Sequence, residues 1–181
     1  MKVSEARAML APAAGWGTPA NWADFGCGTG TFTRALAELV GAGSTIHAVD
    51  RDARALASIP ATHEGARIIT YHADFDAFAL APASLDGVLL ANSLHYVRTP
   101  AALLDRVARA LTCLGRCILV EYDTETPIAQ WVPFPLSMKA ARDLFRDAGL
   151  PVLEPLTTRP SLYGRGPLYS LQARRADTLT A

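Results

Sequence analysis

Residues 22–30 read WADFGCGTG, an acidic residue followed by three glycines at every second position, and this stretch decides the fold. It precedes Thr31–Val40, a segment that places Phe32, Leu36 and Leu39 on one helical face. Glycines let the backbone turn sharply and let a ligand approach without meeting a Cβ. The start of the following helix offers unpaired N–H groups and a partial positive charge. We therefore predict a strand, a ligand-binding glycine turn and a helix in direct succession.

Outside this stretch, short apolar runs alternate with helical patterns along the chain. Thr99 and Pro100 start a helix as N-cap and first helical residue, and Gly115 ends it. The last two strands lack a helix between them and should pair antiparallel. The alternation predicts an α/β fold, doubly wound around a mostly parallel sheet, in one domain over residues 1–181 with a short N-terminal lid or arm at 1–19. The predicted strands are residues 21–25, 45–49, 66–71, 85–91, 117–122, 152–157 and 168–173, and the other helices are 31–40, 52–58 and 137–148.

Two familiar phosphate-binding loops do not fit the glycine stretch. A dinucleotide loop needs glycine or alanine at the end of G-x-G-x-x-G, but counting from Gly26 or Gly28 gives Thr31 or Thr33. A P-loop needs Gly-Lys, and the sequence contains no such pair. What remains is an acidic residue followed by G-x-G-x-G.

An acidic residue at this loop repels a pyrophosphate and suits a ligand with a cationic part. S-adenosylmethionine carries an ammonium, a sulfonium and only one carboxylate. Asp24 would attract the cationic end while the N–H groups of the loop take the carboxylate. Asp50, at the end of the second strand, stands where a carboxylate accepts hydrogen bonds from ribose. Asp74, after the third strand, would accept from the adenine amino group, with Phe75 packing near the base.

Each acid also has a purely structural interpretation. Asp50 could cap the helix that starts at Arg51, and Asp74 could cap a turn. However, all three acids fall at the carboxyl ends of consecutive predicted strands, where open α/β sheets bind their ligands. This coincidence favours a shared ligand.

Four stretches, residues 22–30, 46–50, 73–75 and 85–92, make the chain resemble a class I S-adenosylmethionine-dependent methyltransferase. The resemblance extends from about residue 21 to about residue 173. It implies a Rossmann-like sheet of seven strands with the last strand antiparallel. It also implies S-adenosyl-L-methionine as the cofactor and S-adenosyl-L-homocysteine as the product.

The resemblance gives Asp50 to the ribose, and Asp74 with Phe75 to the adenine. It adds further cofactor-binding positions: Gly26, Gly28 and Gly30 around the methionine part, Arg51 beside the adenosine, and Asn92 close to the sulfonium.

After the fourth strand the chain reads ANSLHY at residues 91–96, in place of the Asn/Asp-Pro-Pro-Tyr/Phe run of many enzymes that methylate amino groups of nucleic-acid bases. The chain is therefore more similar to the small-molecule group, which includes the quinone-biosynthesis methyltransferases. The resemblance implies a small-molecule acceptor, with the N-terminal residues folded over the cofactor.

Methyl transfer needs a base only when the nucleophile must lose a proton. His95 and Tyr96 follow the fourth strand and are the candidate catalytic residues near the methyl group. The alternative for His95 is a structural one, in which it starts a helical turn and packs against Tyr96. Glu121 and Tyr122, at the end of the fifth strand, are candidate acceptor-pocket residues.

The composition narrows the remaining possibilities. The formal net charge is zero, so no overall field draws the chain to nucleic acid or an anionic membrane. No run of about 20 apolar residues predicts a membrane span. The three cysteines form no disulfide framework, which favours a reducing cytoplasm, and the histidines show no metal-ligand spacing. Two alternatives stay open: an inactive regulatory protein that binds S-adenosylmethionine, and a nicotinamide-dependent oxidoreductase.

Overall fold

The computed structural model describes residues 1–13, 16–161 and 166–176. The helices are α1 (Val3–Leu10), α2 (Thr31–Val40), α3 (Ala53–Leu56), α4 (Pro100–Ala110) and α5 (Met138–Asp147), with a 3-10 turn at Leu94–Tyr96. The strands are β1 (Asn21–Phe25), β2 (Thr45–Asp50), β3 (Thr62–His63), β4 (Ala66–His72), β5 (Leu85–Ala91), β6 (Leu111–Tyr122), β7 (Val152–Arg159) and β8 (Leu168–Arg174).

The strands form one sheet in the order β3-β4-β2-β1-β5-β6-β8-β7. Five neighbouring strands in this order, β4, β2, β1, β5 and β6, pair in parallel. Strand β8 runs antiparallel to both β6 and β7. This confirms the predicted α/β class and the antiparallel pairing of the last two strands. The two-residue strand β3, which pairs antiparallel with β4, raises the number of strands among the described residues from the expected seven to eight.

The order of the strands creates a crevice between β1 and β5. From β1 the chain steps outward to β2 and β4 and then returns to place β5 on the other side of β1. At such a switch point the loops after the two neighbouring strands leave in opposite directions, and open α/β sheets bind ligands there. The glycine stretch follows β1, so the topology puts it at this crevice.

Hydrophobic residues fill both faces of the sheet. On one face, Trp22 of β1 packs with buried residues of α1 and α2 such as Leu36. On the other face, Phe25 packs with residues of α4 and α5, among them Leu103 and Phe145. Because β1 is buried on both faces, alternate residues serve opposite layers and no polar face marks it in the sequence.

The N-terminal residues pack against the body of the domain. Ala6, Met9 and Leu10 of α1 are buried in the core cluster that contains α2. Trp16 stacks on Trp22 with ring centroids 5.5 Å apart. Within the part of the chain that the structure describes, no helix is both long and apolar enough to cross a lipid bilayer.

The start of α4 is as predicted, with Thr99 as N-cap and Pro100 as the first helical residue, whereas the predicted end is wrong. Thr99 occupies the N-cap position, but its side chain caps no backbone N–H. The helix ends at Ala110 instead of Gly115 because Leu111 turns to an extended conformation and pairs with Leu85 of β5. Strand pairing therefore begins several residues earlier than the helical pattern suggests.

Candidate functional site

A cleft of about 530 Å³ opens at the carboxyl ends of β1, β2, β4 and β5. A volume of this size suits a ligand of a few tens of atoms. Seven of the residues predicted to bind a cofactor line it, and two, Asp24 and Gly30, do not. The lining residues are Gly26, Gly28, Asp50, Arg51, Asp74, Phe75, Asp76, Asn92, Ser93, Tyr96, Val97 and Arg98.

The glycines of the loop serve different purposes. Gly26 has a φ of +72°, and a Cβ on it would lie 2.5 Å from the Cβ of Ser93, so only glycine fits between the loop and the turn after β5. Gly28 has a φ of +52°, and a Cβ added to it would meet no atom within 4 Å, so its backbone is open to the cleft. Gly30 is the N-cap of α2, and a Cβ there would meet Ile59 at 2.8 Å. Gly30 therefore shapes the start of the helix.

Asp50 ties the glycine loop to β2. Its Oδ2 accepts a hydrogen bond from the backbone N of Gly28 at 2.7 Å, and its Oδ1 accepts one from the backbone N of Asp52 at 2.8 Å. The cap of α3 is Asp52, whose side chain accepts from the backbone N–H groups of Arg54 and Ala55. Each carboxylate oxygen of Asp50 has a second lone pair, so the group can still accept from a ligand hydroxyl.

Asp24 lies buried beneath α2, with only 1% of its surface exposed. Its Oδ2 accepts a hydrogen bond of 2.6 Å from the hydroxyl of Thr33, while its Oδ1 is buried without a partner among the described residues. Burial raises the pKa of Asp24 to about 7, and the negative charge of Asp50 adds to this rise. The hydrogen bond from Thr33 acts in the opposite direction and lowers the pKa. Asp24 therefore stands behind the cleft, and direct attraction of a cation by this residue stays a prediction.

The segment after β4 forms the far end of the cleft. Oδ1 of Asp74 accepts from the backbone N of Asp76 at 3.0 Å, so Asp74 does close a turn. Its side chain nevertheless lines the cleft, and the turn occupies only one of its oxygens. Phe75 stacks on Phe25, with ring centroids 5.8 Å apart and planes at 12°. This stack fixes the ring of Phe75, which also lines the cleft.

The turn after β5 lines the cleft and contains two unpartnered polar atoms. Asn92 adopts a left-handed φ of +53°, and its backbone N donates to the carbonyl of Val120 at 2.8 Å. Oδ1 of Asn92 and Oγ of Ser93 are buried and have no hydrogen-bond partner within the described ranges. Buried groups left in this way cost about 1–3 kcal/mol each. Because both oxygens are inaccessible to solvent, a ligand in the cleft would reach them only after the turn moved.

The predicted catalytic and acceptor residues separate into two groups. Tyr96 lines the cleft and Tyr122 lines a second cavity. His95 and Glu121 line neither, because they are buried against each other, with Nδ1 of His95 donating to Oε2 of Glu121 at 2.6 Å. His95 lies in the 3-10 turn, and its ring centroid is 4.4 Å from that of Tyr96, which is the packing of the structural alternative.

The second cavity has a volume of about 220 Å³ and meets the cleft at Asn92, which lines both. Its wall combines the start of α1 with the ends of β6 and β7. An ion pair of 3.0 Å between Glu5 and Arg159 joins two of these elements. The lining residues are Met1, Glu5, Asn92, Tyr122, Arg159, Pro160, Ser161 and Leu168.

Sequence reasoning missed Asp76, Ser93, Val97 and Arg98 in the cleft. Their place two to seven residues after predicted strands was an available signal, since ligands bind in the loops at the carboxyl edge. No local signal pairs Arg98 with Phe134, whose ring centroid lies 5.3 Å beneath the guanidinium. That contact depends on how the loop before α5 folds back.

A family model described as a methyltransferase domain matches residues 23–115 of the chain. No curated protein matches the sequence. Among solved structures, the chain is similar to 1,6-didemethyltoxoflavin-N1-methyltransferase from Burkholderia thailandensis, at 22% identity and a TM-score of 0.70, covering 97% of this chain and 78% of that one. It is also similar to an arsenic(III) S-adenosylmethionine methyltransferase from Chlamydomonas reinhardtii, at 17% identity and a TM-score of 0.71, covering 97% and 74% of the two chains. A possible histamine N-methyltransferase from Thermotoga maritima matches at 16% identity and a TM-score of 0.70, covering 96% and 88%.

Proposed function

Because the chain belongs to the methyltransferase domain family, and is an S-adenosylmethionine-dependent methyltransferase, we propose that it methylates an O, N or C nucleophile of a small-molecule acceptor. The observation that carries the proposal is the cleft at the switch point, which is lined by seven of the residues predicted to bind the cofactor. The similar structures include enzymes whose names specify small acceptors, which supports the same substrate class.

In this proposal the residues of the cleft hold the cofactor in order from one end to the other. Asp74 and Phe75 take the adenine, and Asp50, with Arg51 beside it, takes the ribose. The open backbone at Gly28 and its neighbours accommodates the methionine part. S-adenosylmethionine supplies a methyl group already activated by the sulfonium when it is bound.

Asn92 completes this order at the methionine end. Asn92 lines the cleft, and we assign its side chain a place beside the sulfonium of the cofactor. Because Asn92 also lines the second cavity, the methyl group would face that cavity.

The acceptor is proposed to bind in the second cavity, with Tyr122 in its wall. A cavity of 150 Å³ holds benzene, so about 220 Å³ suits a compound of roughly one ring with a few substituents. The main task of the protein is then to align nucleophile and methyl group, and orientation of this kind lowers a barrier by roughly 7–11 kcal/mol.

Where the acceptor must lose a proton, Tyr96 is the proposed base for an acceptor that reaches from the second cavity into the cleft, whose wall contains this residue. The other sequence candidate, His95, is occupied by its contact with Glu121, and its Nε2 is the ring nitrogen left for a proton. A ring buried outside both cavities suits a role that needs no contact with the acceptor.

Calorimetry with S-adenosylmethionine, S-adenosylhomocysteine and NADH tests the cofactor site directly. We expect both S-adenosyl compounds to bind and NADH not to bind. Incubation with methyl-labelled S-adenosylmethionine and panels of quinols, catechols, amines and nucleic acids then tests the acceptor. Label transferred to a small molecule supports the proposal; label found only on nucleic acid, or no transfer to any panel member despite tight cofactor binding, contradicts it.

A further inference from the structure

A buried polar pair joins the turn after β5 to the end of β6. Both oxygens of Glu121 are used: Oε2 accepts from Nδ1 of His95 at 2.6 Å, and Oε1 accepts from the backbone N of the same residue at 3.2 Å. The two side chains are only 3% and 1% exposed. Glu121 thus forms two hydrogen bonds with one residue of the turn, one with its ring and one with its backbone.

Further hydrogen bonds connect this turn, residues 92–97, to β6 and to the segment before α5. The backbone N of Asn92 donates to Val120 of β6, and the backbone N of Phe134 donates to the carbonyl of His95 at 3.0 Å. Within the turn, Tyr96 donates its backbone N–H to the carbonyl of Ser93 at 3.1 Å. The segment 92–97 is therefore held on β6 through its first residue and through His95.

The same turn forms one wall of the cofactor cleft. Asn92, Ser93, Tyr96 and Val97 all line the cleft, whereas Leu94 and His95 are buried and do not line it. Ser93 also packs against Gly26 so closely that a Cβ on the glycine would lie 2.5 Å away. A shift of the turn would therefore change both the wall and its distance from the glycine loop.

Burying a pair of ionisable groups in order to fix a turn costs free energy, because both groups lose their hydration. Replacing such a pair with apolar residues of similar volume is often neutral or stabilising, so a gain in stability does not explain it. Its strong, directional hydrogen bonds do, however, fix geometry more narrowly than apolar packing.

We propose that Glu121 and His95 are a positioning pair that sets the 92–97 turn, and with it the wall that Asn92, Ser93, Tyr96 and Val97 give to the cofactor cleft. The inference rests on the proposed function, in which this cleft binds S-adenosylmethionine. It gives His95 a role through the turn, which does not require its ring to reach the acceptor.

The test compares the affinity for S-adenosylhomocysteine, measured by calorimetry, in two substitutions of Glu121. Glu121→Leu removes both acceptors, and we expect binding to weaken about tenfold or more. Glu121→Gln can keep both contacts, because its amide oxygen accepts from the backbone N of His95 while its NH₂ donates to Nδ1. We expect this variant to bind within about threefold of the wild type.

The Gln variant also predicts a spectroscopic signature. Retaining both contacts requires the proton of the His95 ring to move from Nδ1 to Nε2, which nitrogen chemical shifts in NMR report directly. Ile118→Val, a buried change in the same strand, is the matched control for a loss of stability and should leave the affinity unchanged.

Wild-type affinity in Glu121→Leu would overturn the positioning role, as would an equal loss of affinity in Glu121→Gln with the ring proton moved. If Glu121→Leu does not fold, His95→Asn and His95→Leu decide: the Asn amide can donate to Glu121 as Nδ1 does, so only the Leu variant should lose affinity. Failure of the wild type to bind S-adenosylhomocysteine would instead contradict the proposed function itself, so the two failures are distinguishable.

Discussion

At the scale of single residues, three acids that look alike in the sequence have three different environments. Asp50 lies in the cleft and bonds the glycine loop, Asp74 lies in the cleft and closes a turn, and Asp24 is buried behind it with Thr33. Burial and hydrogen bonds, which determine what a carboxylate can do, differ for each. We therefore expect different effects from substitutions of Asp50 and of Asp24.

Replacing Asp50 with Ala should weaken binding of S-adenosylhomocysteine about tenfold or more, because hydrogen bonds to a charged group contribute roughly 1.5–3 kcal/mol. Calorimetry measures the affinity. The matched control is Asp52→Ala, which removes the cap of α3 and should cost about 1 kcal/mol of stability without changing the affinity. Equal affinities of Asp50→Ala and wild type would exclude Asp50 from the site.

Asp24 should make the stability of the domain fall as the pH rises. Its pKa is about 7 in the folded state against an ordinary 3.8, so between these values the folded state keeps a proton that the unfolded state has lost. The free energy of unfolding then decreases with rising pH over this range, by at most about 4 kcal/mol from this residue. Urea unfolding at pH 5 and pH 8 should show the decrease in the wild type and a smaller one in Asp24→Asn.

The exposed carboxylate of Asp143 on α5 provides the control for that measurement. Asp143→Asn should keep the pH dependence of the wild type. If Asp24→Asn also keeps all of it, then the proton is bound elsewhere.

At the scale of elements, the site depends on two connections meeting: the glycine loop between β1 and α2, and the turn between β5 and α4. Ser93 and Gly26 bring them into contact. Each connection is short and follows a buried strand, so neither can shift without disturbing the sheet. This rigidity suits a site whose task is to orient reactants.

Gly26→Ala and Gly28→Ala should separate fold from binding within one loop. Both positions have a positive φ, which costs a non-glycine residue about 1–2 kcal/mol. The methyl group added at Gly26 would collide with the Cβ of Ser93, whereas the one added at Gly28 would meet no atom within 4 Å. The Gly26→Ala variant should therefore lose further stability and bind poorly. Gly28→Ala should stay folded but bind S-adenosylhomocysteine more weakly.

Thermal unfolding and calorimetry on the two variants provide the measurements. A Gly26→Ala protein as stable as Gly28→Ala would show that the turn after β5 moves freely away from the loop. That result would also argue against a fixed turn.

At the scale of the whole molecule, the cofactor should stabilise the fold by occupying a cleft to which four strands contribute. A ligand at one hundred times its Kd adds about 2.7 kcal/mol to the free energy of unfolding. For a domain of this size that corresponds to a rise in Tm of roughly 5–10 °C. Differential scanning calorimetry with S-adenosylhomocysteine measures it, and NADH at the same concentration should give no rise. A rise with NADH alone would favour the oxidoreductase alternative.

Much of the secondary structure could be predicted from local sequence patterns. The helix Thr31–Val40 and the strand Leu85–Ala91 are found with the predicted bounds, because hydrophobic periodicity depends only on neighbours along the chain. The end of α4 could not be predicted in this way. Leu111 continues the apolar stripe of the helix, but its pairing with Leu85 draws it into β6.

The sequence by itself predicted the α/β class and the glycine loop from spacing within short segments, and its resemblance to a known family added residues such as Arg51 and Asn92, which line the cleft. Only the tertiary structure decided that Asp24 stands behind the cleft and that His95 meets Glu121, 26 positions along the chain. It also decided that the first helix and Arg159 complete a second cavity at Asn92. The physical reason is that burial and contact between distant segments depend on how the layers pack, which no local pattern encodes.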